Sequence, residues 1–336
     1  MREPAFWRVD AGRGSGSLVR ALLTPLSWIY GWATARRIRK TEPLDPGIPV
    51  ICIGNLTLGG TGKTPIAQTI LTRLTDMGYR PHALSRGYGG RLEGPVQVDP
   101  SAHSAGDVGD EPLLLARAAP AWISRDRPAG ALAAVEAAAQ VLVLDDGHQN
   151  PTLRKQLSFV VIDGEAGWGA NKVFPAGPLR EPVAKGLARA DAVIVMTRNA
   201  DSLPDYEGLG LSDLEIPVLH AWLAPTQTPP RGSLVAFAGI GRPQKFFDAL
   251  QAAGADLSET GQFADHHPYS KGDLKRLQRL AKTHDAALIT TEKDWVRLPP
   301  ALQPEVTAWP VRAEFANPAA LDGLLRDMMD ASAPGR

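Results

Sequence analysis

Residues 54–65 read GNLTLGGTGKTP, a run whose residue types suit phosphate. Glycines at 59, 60 and 62 let a backbone curl until several N–H groups face one anion, without Cβ atoms in the way. Lys63 can neutralise β- and γ-phosphate charge, and the Thr64 hydroxyl can hold Mg²⁺. Thr61 lies between the glycines. Thr57 stands where a strict Walker A pattern has its first glycine, a mild departure. The acidic partner such a loop needs occurs at the end of an apolar run, VLVLDD, which supplies Asp145 and Asp146. One of them can bind Mg²⁺ directly or through water. An aspartate pair in that turn would equally serve as a helix cap. Loop and acids together favour nucleoside triphosphate binding.

Four further clusters carry reactive groups. DVGDEP (107–112) holds Asp110 and Glu111, which could act near a substrate hydroxyl or a metal, or cap the next helix. ADHHPY (264–269) joins Asp265, His266 and His267, and a histidine paired with a carboxylate tunes proton transfer. Adjacent histidines without a third ligand at a characteristic spacing are not a zinc signature, so the metal chemistry is read as Mg²⁺ carried with nucleotide. FPAGPLREP (174–182) fixes Arg180 and Glu181 between prolines, a rigid way to present an arginine to phosphate. TTEKDWVRLP (290–299) places Lys293 and Asp294 after an apolar strand.

These groups need a scaffold, and the chain alternates short apolar runs with helical periodicity from residue 48 onward. IPVICIG reads as a buried strand; TPIAQTILTRLTDMG reads as a helix with Pro65 in its first turn and Gly78 at its end. The glycine loop therefore joins a strand to a helix, the context its chemistry requires. Strands are expected at 80–84, 96–98, 121–123, 141–146, 157–163 and 191–197, with a helix over 129–139. This is an α/β pattern with a mostly parallel sheet. The proline-rich stretch at 216–232 marks a boundary, followed by strand (SLVAFAGIG), helix (RPQKFFDALQAAG), helix (270–284), strand (AALITTEKD), strand (VTAWPVRAEF) and a short helix. The expected organisation is an N-terminal segment (1–45), a P-loop domain (46–225) and a smaller α/β domain (226–336).

Lys plus Arg and Asp plus Glu number 36 each, so no basic excess points to nucleic acid. The single cysteine, Cys52, lies in an apolar run and reads as a buried small hydrophobe. The polar opening MREPAFWRVDAGRGSG is not a secretory signal. Residues 18–35, LVRALLTPLSWIYGWATA, are too short between charges for a membrane span and contain Pro25 as an interruption. With Trp28, Tyr30, Trp32 and the following RRIRK, they suit a helix lying in a membrane interface, or one packed on the protein's own core.

Taken in order, VICIGNLTLGGTGKTP, ALSRGYGG, VGDEPLLLA, LDDGHQN, FPAGPLREP, FADHHPY and TEKDWVRL resemble the tetraacyldisaccharide 4'-kinase (lipid A 4'-kinase) family over nearly the whole chain. Thr57 belongs to that family's loop. His148 stands where the family more often has an aromatic residue, a difference that concerns local packing. The resemblance implies two α/β/α domains joined by a short β linker. It implies transfer of the ATP γ-phosphoryl group, with Mg²⁺, to the 4'-hydroxyl of a tetraacylated glucosamine disaccharide 1-phosphate, giving lipid IVA. It implies peripheral or monotopic attachment to the bacterial inner membrane with the active site facing the cytoplasm, no nucleic acid and no obligate protein partner. Carried over residue by residue, Thr57, Gly59, Gly60, Thr61, Gly62, Lys63 and Thr64 match the family's nucleotide loop. Thr64, Asp145 and Asp146 match its metal side. Asp110, His266, Lys63 and Arg180 match its catalytic groups, with His266 favoured over His267. Glu111, Glu181 and His267 match positions nearby. A soluble small-molecule kinase, an ATPase or a nucleotide-dependent binding module are the rival readings.

Overall fold

The apolar runs VICIG, VLVLD, LSFVVID and AVIVMT form the centre of a sheet, because both of their faces are covered by other elements. The computed structural model describes residues 4–7 and 16–332; most of the polar opening stretch lies outside them. A nine-stranded sheet runs in the order β13-β8-β7-β6-β1-β5-β2-β4-β3. Its strands are β1 (Val50–Gly54), β2 (Pro81–Ser85), β3 (Val96–Gln97), β4 (Ala121–Ile123), β5 (Val141–Asp145), β6 (Leu157–Asp163), β7 (Ala192–Thr197), β8 (Val218–Pro225) and β13 (Val311–Phe315). The two edge strands pair antiparallel and all strands between them run parallel. A four-stranded parallel sheet, ordered β10-β9-β11-β12, is built from β9 (Ser233–Ala238), β10 (Asp256–Gln262), β11 (Ala287–Thr291) and β12 (Val306–Trp309).

The helices are α1 (Ser17–Lys40), α2 (Lys63–Asp76), α3 (Ala105–Val108), α4 (Asp110–Leu115), α5 (Arg127–Glu136), α6 (Val183–Leu187), α7 (Pro243–Ala252), α8 (Lys271–Thr283), α9 (Glu292–Trp295) and α10 (Pro318–Ala331). Alternation along β1 sends Ile51 and Ile53 to one face and Val50 and Cys52 to the other. The first face belongs to one core with Ile66, Ile70 and Leu71 of α2 and Leu321 and Leu325 of α10. The second meets Ala131 and Ala134 of α5. Cys52 is fully buried, as expected, and burial pushes its thiol up to about 11. In the smaller sheet, Phe246 and Phe247 of α7 cover one face and Leu274 and Leu277 of α8 the other.

β8 and β10 are strands that the sequence reading did not expect, and three further elements depart from it. VTAWPVRAEF is two strands, because Pro310 between them has no N–H to extend a ladder. β12 stays on the smaller sheet, while β13 pairs antiparallel with β8 on the larger one. Residues 311–331, expected with the smaller domain, therefore complete the larger sheet and its cover. The strand within AALITTEKD ends at Thr291, whose hydroxyl accepts from Asp294 N and caps α9. Finally, α1 runs unbroken for 24 residues through Pro25. Its inward face is small and polar: Ser27 and Thr34 are its buried residues, and Ser27 Oγ accepts from Ala176 N at 3.1 Å. Leu22, Leu26, Trp28, Ile29 and Trp32 stand exposed. Among the described residues no helix is long and apolar enough to cross a membrane.

Candidate active site

Strand β1 lies between β5 and β6, where the order of the sheet reverses, so the loop after it opens into a crevice at the strand ends. Asn55 Nδ2 braces that loop by donating to Thr57 O at 2.7 Å and Gly59 O at 3.5 Å. The 174–182 segment laces onto it: Leu58 N donates to Pro178 O and Arg180 N to Leu56 O, both at 2.7 Å. Thr57 forms an antiparallel bridge with Leu179. Position 57 thus belongs to an extended pairing rather than to the curl, which removes the need for glycine there. The curl falls later, with Gly59 and Gly62 at φ of 120° and 84°. Gly62 delivers the chain into α2, placing Lys63 and Thr64 at the helix start.

Parallel register sets Asp145 beside Ile53, one residue before the loop begins. The two neighbouring aspartates have opposite surroundings. Asp146, at φ 53°, faces two cations: Arg180 Nη1 lies 2.9 Å from both its oxygens and Lys63 Nζ 3.5 Å from one. Burial works against its charge, but Lys63 and Arg180 outweigh it and hold the carboxyl at about 2. Asp145 is buried, and its Oδ2 receives only the Thr64 hydroxyl at 3.3 Å. Burial and the charge of Glu111 push it up to about 7, against the pull of Lys63. Its Oδ1 is buried without any partner. An unpartnered carboxylate oxygen beside a hydroxyl is a hard-oxygen donor set that suits Mg²⁺. Among the described residues no group of three or more His, Cys, Asp or Glu could hold a metal alone. That fits an ion whose remaining ligands are phosphate oxygens and water.

Gln149, not singled out from the sequence, ties these parts together. Its Nε2 donates to Asn55 O at 2.9 Å and Glu181 Oε1 at 3.0 Å, and its Oε1 accepts from Arg180 at 3.4 Å. Glu181 is buried and also receives Arg189 at 2.7 and 2.8 Å. It orders the chain's own groups rather than facing the crevice. The LDDGHQN string contained Gln149, but nothing near it in sequence announced Arg189. His148 packs with Nε2 3.0 Å from Gly186 O, and burial, with the charge of Arg189, lowers it to about 4. Its role in packing agrees with the sequence reading.

Across the crevice, Asp110 begins α4 and is buried. Within DVGDEP, Asp107 closes the capping box of α3 with Ser104, while α4 has Gly109 at its N-cap and no side-chain cap. Asp110 is left to face the smaller sheet. His266 Nδ1 lies 2.9 Å and Arg297 Nε 3.0 Å from Asp110 Oδ2. Burial raises this carboxyl, but His266, Lys293 and Arg297 together bring it down to about 2. Lys293 Nζ pairs with Glu111 at 2.9 Å and lies 3.4 Å from His266 Nε2. His266 takes a left-handed φ of 54°, and its ring meets Tyr88 edge-on at 5.7 Å. His267 points away, to Asp273 in the cap of α8 at 3.1 Å. The two sheets also meet at the end of β6, where Asp163 holds Arg242 at 2.8 Å and Lys245 at 3.0 Å.

A phosphate-type loop at the reversal of a parallel sheet, with an acidic strand end beside it and a second α/β unit closing over it, defines a two-domain P-loop kinase. Within that class the chain belongs to the tetraacyldisaccharide-1-P 4'-kinase family, whose model matches residues 19–330. It is 65% identical over 333 residues to the tetraacyldisaccharide 4'-kinase of Maricaulis maris, covering 98% of this chain and 97% of that one. It is 53% identical over 324 residues to that of Phenylobacterium zucineum, covering 95% and 97%. The crystal structure of LpxK from Aquifex aeolicus in complex with ATP superposes with a TM-score of 0.73 at 25% identity, over 93% of this chain and 99% of that one. Membership makes the chain an ATP-dependent kinase of the lipid A precursor, and implies use of Mg²⁺ and association with a membrane.

Proposed function

We propose that the chain moves the γ-phosphoryl group of ATP to the 4'-hydroxyl of a tetraacylated glucosamine disaccharide 1-phosphate at the cytoplasmic leaflet of the bacterial inner membrane, yielding lipid IVA. The observation that carries the residue assignment is the Asp110–His266 pair, assembled from two sheets across the crevice from Lys63. Asp110 accepts the proton of the sugar hydroxyl, and His266 orients it. Lys63 and the amides of residues 59–64 hold the β- and γ-phosphates, and Arg180 offsets charge on the transferring group. Thr64 and Asp145 hold Mg²⁺, with Asp146 beside them; the ion, when bound, neutralises charge shared between phosphates. Transfer is in line, without a phosphoenzyme; a kinetically competent covalent phosphoprotein would overturn that step.

Helix α1 supports attachment to the leaflet that carries the substrate. Its apolar side chains face out, and Arg36, Arg39 and Lys40 follow them at its C-terminal end. Incubation of the protein with Mg²⁺-ATP and defined tetraacyldisaccharide 1-phosphate in detergent should add one phosphate at the 4' position, read by mass and NMR. Folded, ATP-binding protein that gives no such product would reject the reaction. Trp28→Glu with Trp32→Glu should lose binding to anionic vesicles while keeping turnover of detergent-dispersed substrate; undiminished vesicle binding would reject the role of α1.

A further inference from the structure

We infer that Arg297 is a positioning residue for phosphoryl transfer: it locks the Asp110 carboxylate against His266 from the far side of the crevice. The inference rests on the proposed role of Asp110. Arg297 follows α9, and its side chain is 7% exposed, against 35% for Arg242 in the Asp163 contact. Its Nε lies 3.0 Å from Asp110 Oδ2, an ion-pair contact, since that oxygen has no aligned hydrogen-bond donor, and its Nη1 donates to Gly239 O at 3.0 Å and lies 3.3 Å from Asp294. Asp294 is fully buried and is itself fixed by Gly239 N at 2.9 Å and the Tyr269 hydroxyl at 2.6 Å.

Gly239 joins the two partners of Asp110, because its carbonyl also accepts from His266 N at 3.1 Å. A Cβ there would sit 2.9 Å from Ala264 O and 3.1 Å from Asp294 Oδ1, so the hub tolerates only glycine without displacement. Arg297 and His266 are thus referenced to one peptide, and their spacing around Asp110 is set by the smaller sheet's own backbone.

A buried arginine is a poor way to gain stability. Its Nη2 is buried with no partner, a cost that a packed apolar side chain would avoid. Lys293 also draws the Asp110 carboxyl down, and more strongly than Arg297, but it forms no ion pair with it. Lys293 is engaged by Glu111, Asp265 lies 3.9 Å from His266 Nε2 and is itself acidic, and Tyr88 offers only its ring to His266. Arg297 is the guanidinium in direct contact with Asp110, the planar fork that a carboxylate pairs with best.

The test compares Arg297→Met, Arg297→Gln and Arg297→Lys with the unaltered protein and with Asp110→Asn. Melting curves, ATP KM and kcat are followed at neutral pH, and the Asp110 carboxyl is titrated by ¹³C NMR from about pH 2 to pH 7. Loss of the guanidinium should lower kcat at neutral pH by about 10- to 100-fold with ATP KM within about threefold, the signature of a group acting on transfer rather than binding. It should also move the Asp110 titration upward from about 2, because the carboxyl then gains a proton more readily. Arg297→Lys should restore the position of that titration. If Met unfolds the protein, Gln carries the comparison. A folded Met or Gln variant with an unmoved Asp110 titration overturns the inference, as does a Lys variant as displaced as the neutral ones. Should Asp110→Asn keep full turnover, the role of Asp110 itself falls; should it be inactive while the Arg297 variants titrate normally, only the role of Arg297 falls.

Discussion

On the phosphate side of the crevice every group comes off the larger sheet, and strand register alone brings Asp145 to the mouth of the loop. On the acceptor side the partners come from both sheets: Asp110 from one, His266 and Arg297 from the other. The first arrangement can exist before anything binds. The second exists only when the smaller sheet is seated. With the roles proposed above, a kinase built this way holds nucleotide without activating a hydroxyl until both units meet, which would limit wasteful hydrolysis.

The contrast can be broken by substitution. The largest effect is expected on the acceptor side: Asp110→Ala or His266→Ala should lower kcat by about 10²- to 10⁴-fold while ATP affinity changes little. Steady-state kinetics with separate nucleotide titration would show this, and a variant that instead lost nucleotide would mean that the two sides are not separate. On the phosphate side, Lys63→Met should cost about 10²- to 10³-fold and weaken nucleotide binding as well.

Asp145→Asn sharpens the contrast through stability. Because the folded protein holds this proton up to about pH 7 and an unfolded aspartate only to about pH 4, the native state loses stability as pH rises between those values. At pH 8 without Mg²⁺ the asparagine variant should therefore melt higher than the unaltered protein, by about 3 °C or more, with the gap closing near pH 4. Mg²⁺ should raise the melting point of the aspartate form only. Equal melting points at pH 8 would show that Asp145 carries no such strain. The smallest effect is expected at the remote contact: Asp163→Asn should cost at most about 1 kcal/mol by denaturant titration and leave kcat within about threefold, since its partners are a third exposed. A larger loss of turnover would make that contact part of closure.

The phosphate side was legible in the sequence because its signals are local. A β-branched run, glycines, Lys63-Thr64 and a helix start occur in one contiguous stretch, and the second acidic run follows the same grammar. The acceptor side was legible only by family resemblance, since Asp110 and His266 lie 156 residues apart, from 266 less 110, and no periodicity links them. Gln149, Arg189, Gly239 and Arg297 escaped notice for the same reason. Each is an ordinary residue whose importance comes from a distant partner. The split of VTAWPVRAEF also escaped, because alternation shows that a segment is a strand without saying which sheet it joins.

Pro310 has a further consequence for the order in which the molecule can be assembled. Thr69 Oγ1 bonds to Ala313 O across 244 positions, and Arg73 pairs with Asp322 across 249. On the ribosome, α2 emerges early, yet β13 and α10, which shelter it, are made only after all four strands of the smaller sheet. The nucleotide half therefore waits for its neighbour to be synthesised before its own last wall is laid, and the apolar flank of α2 stays uncovered during that interval.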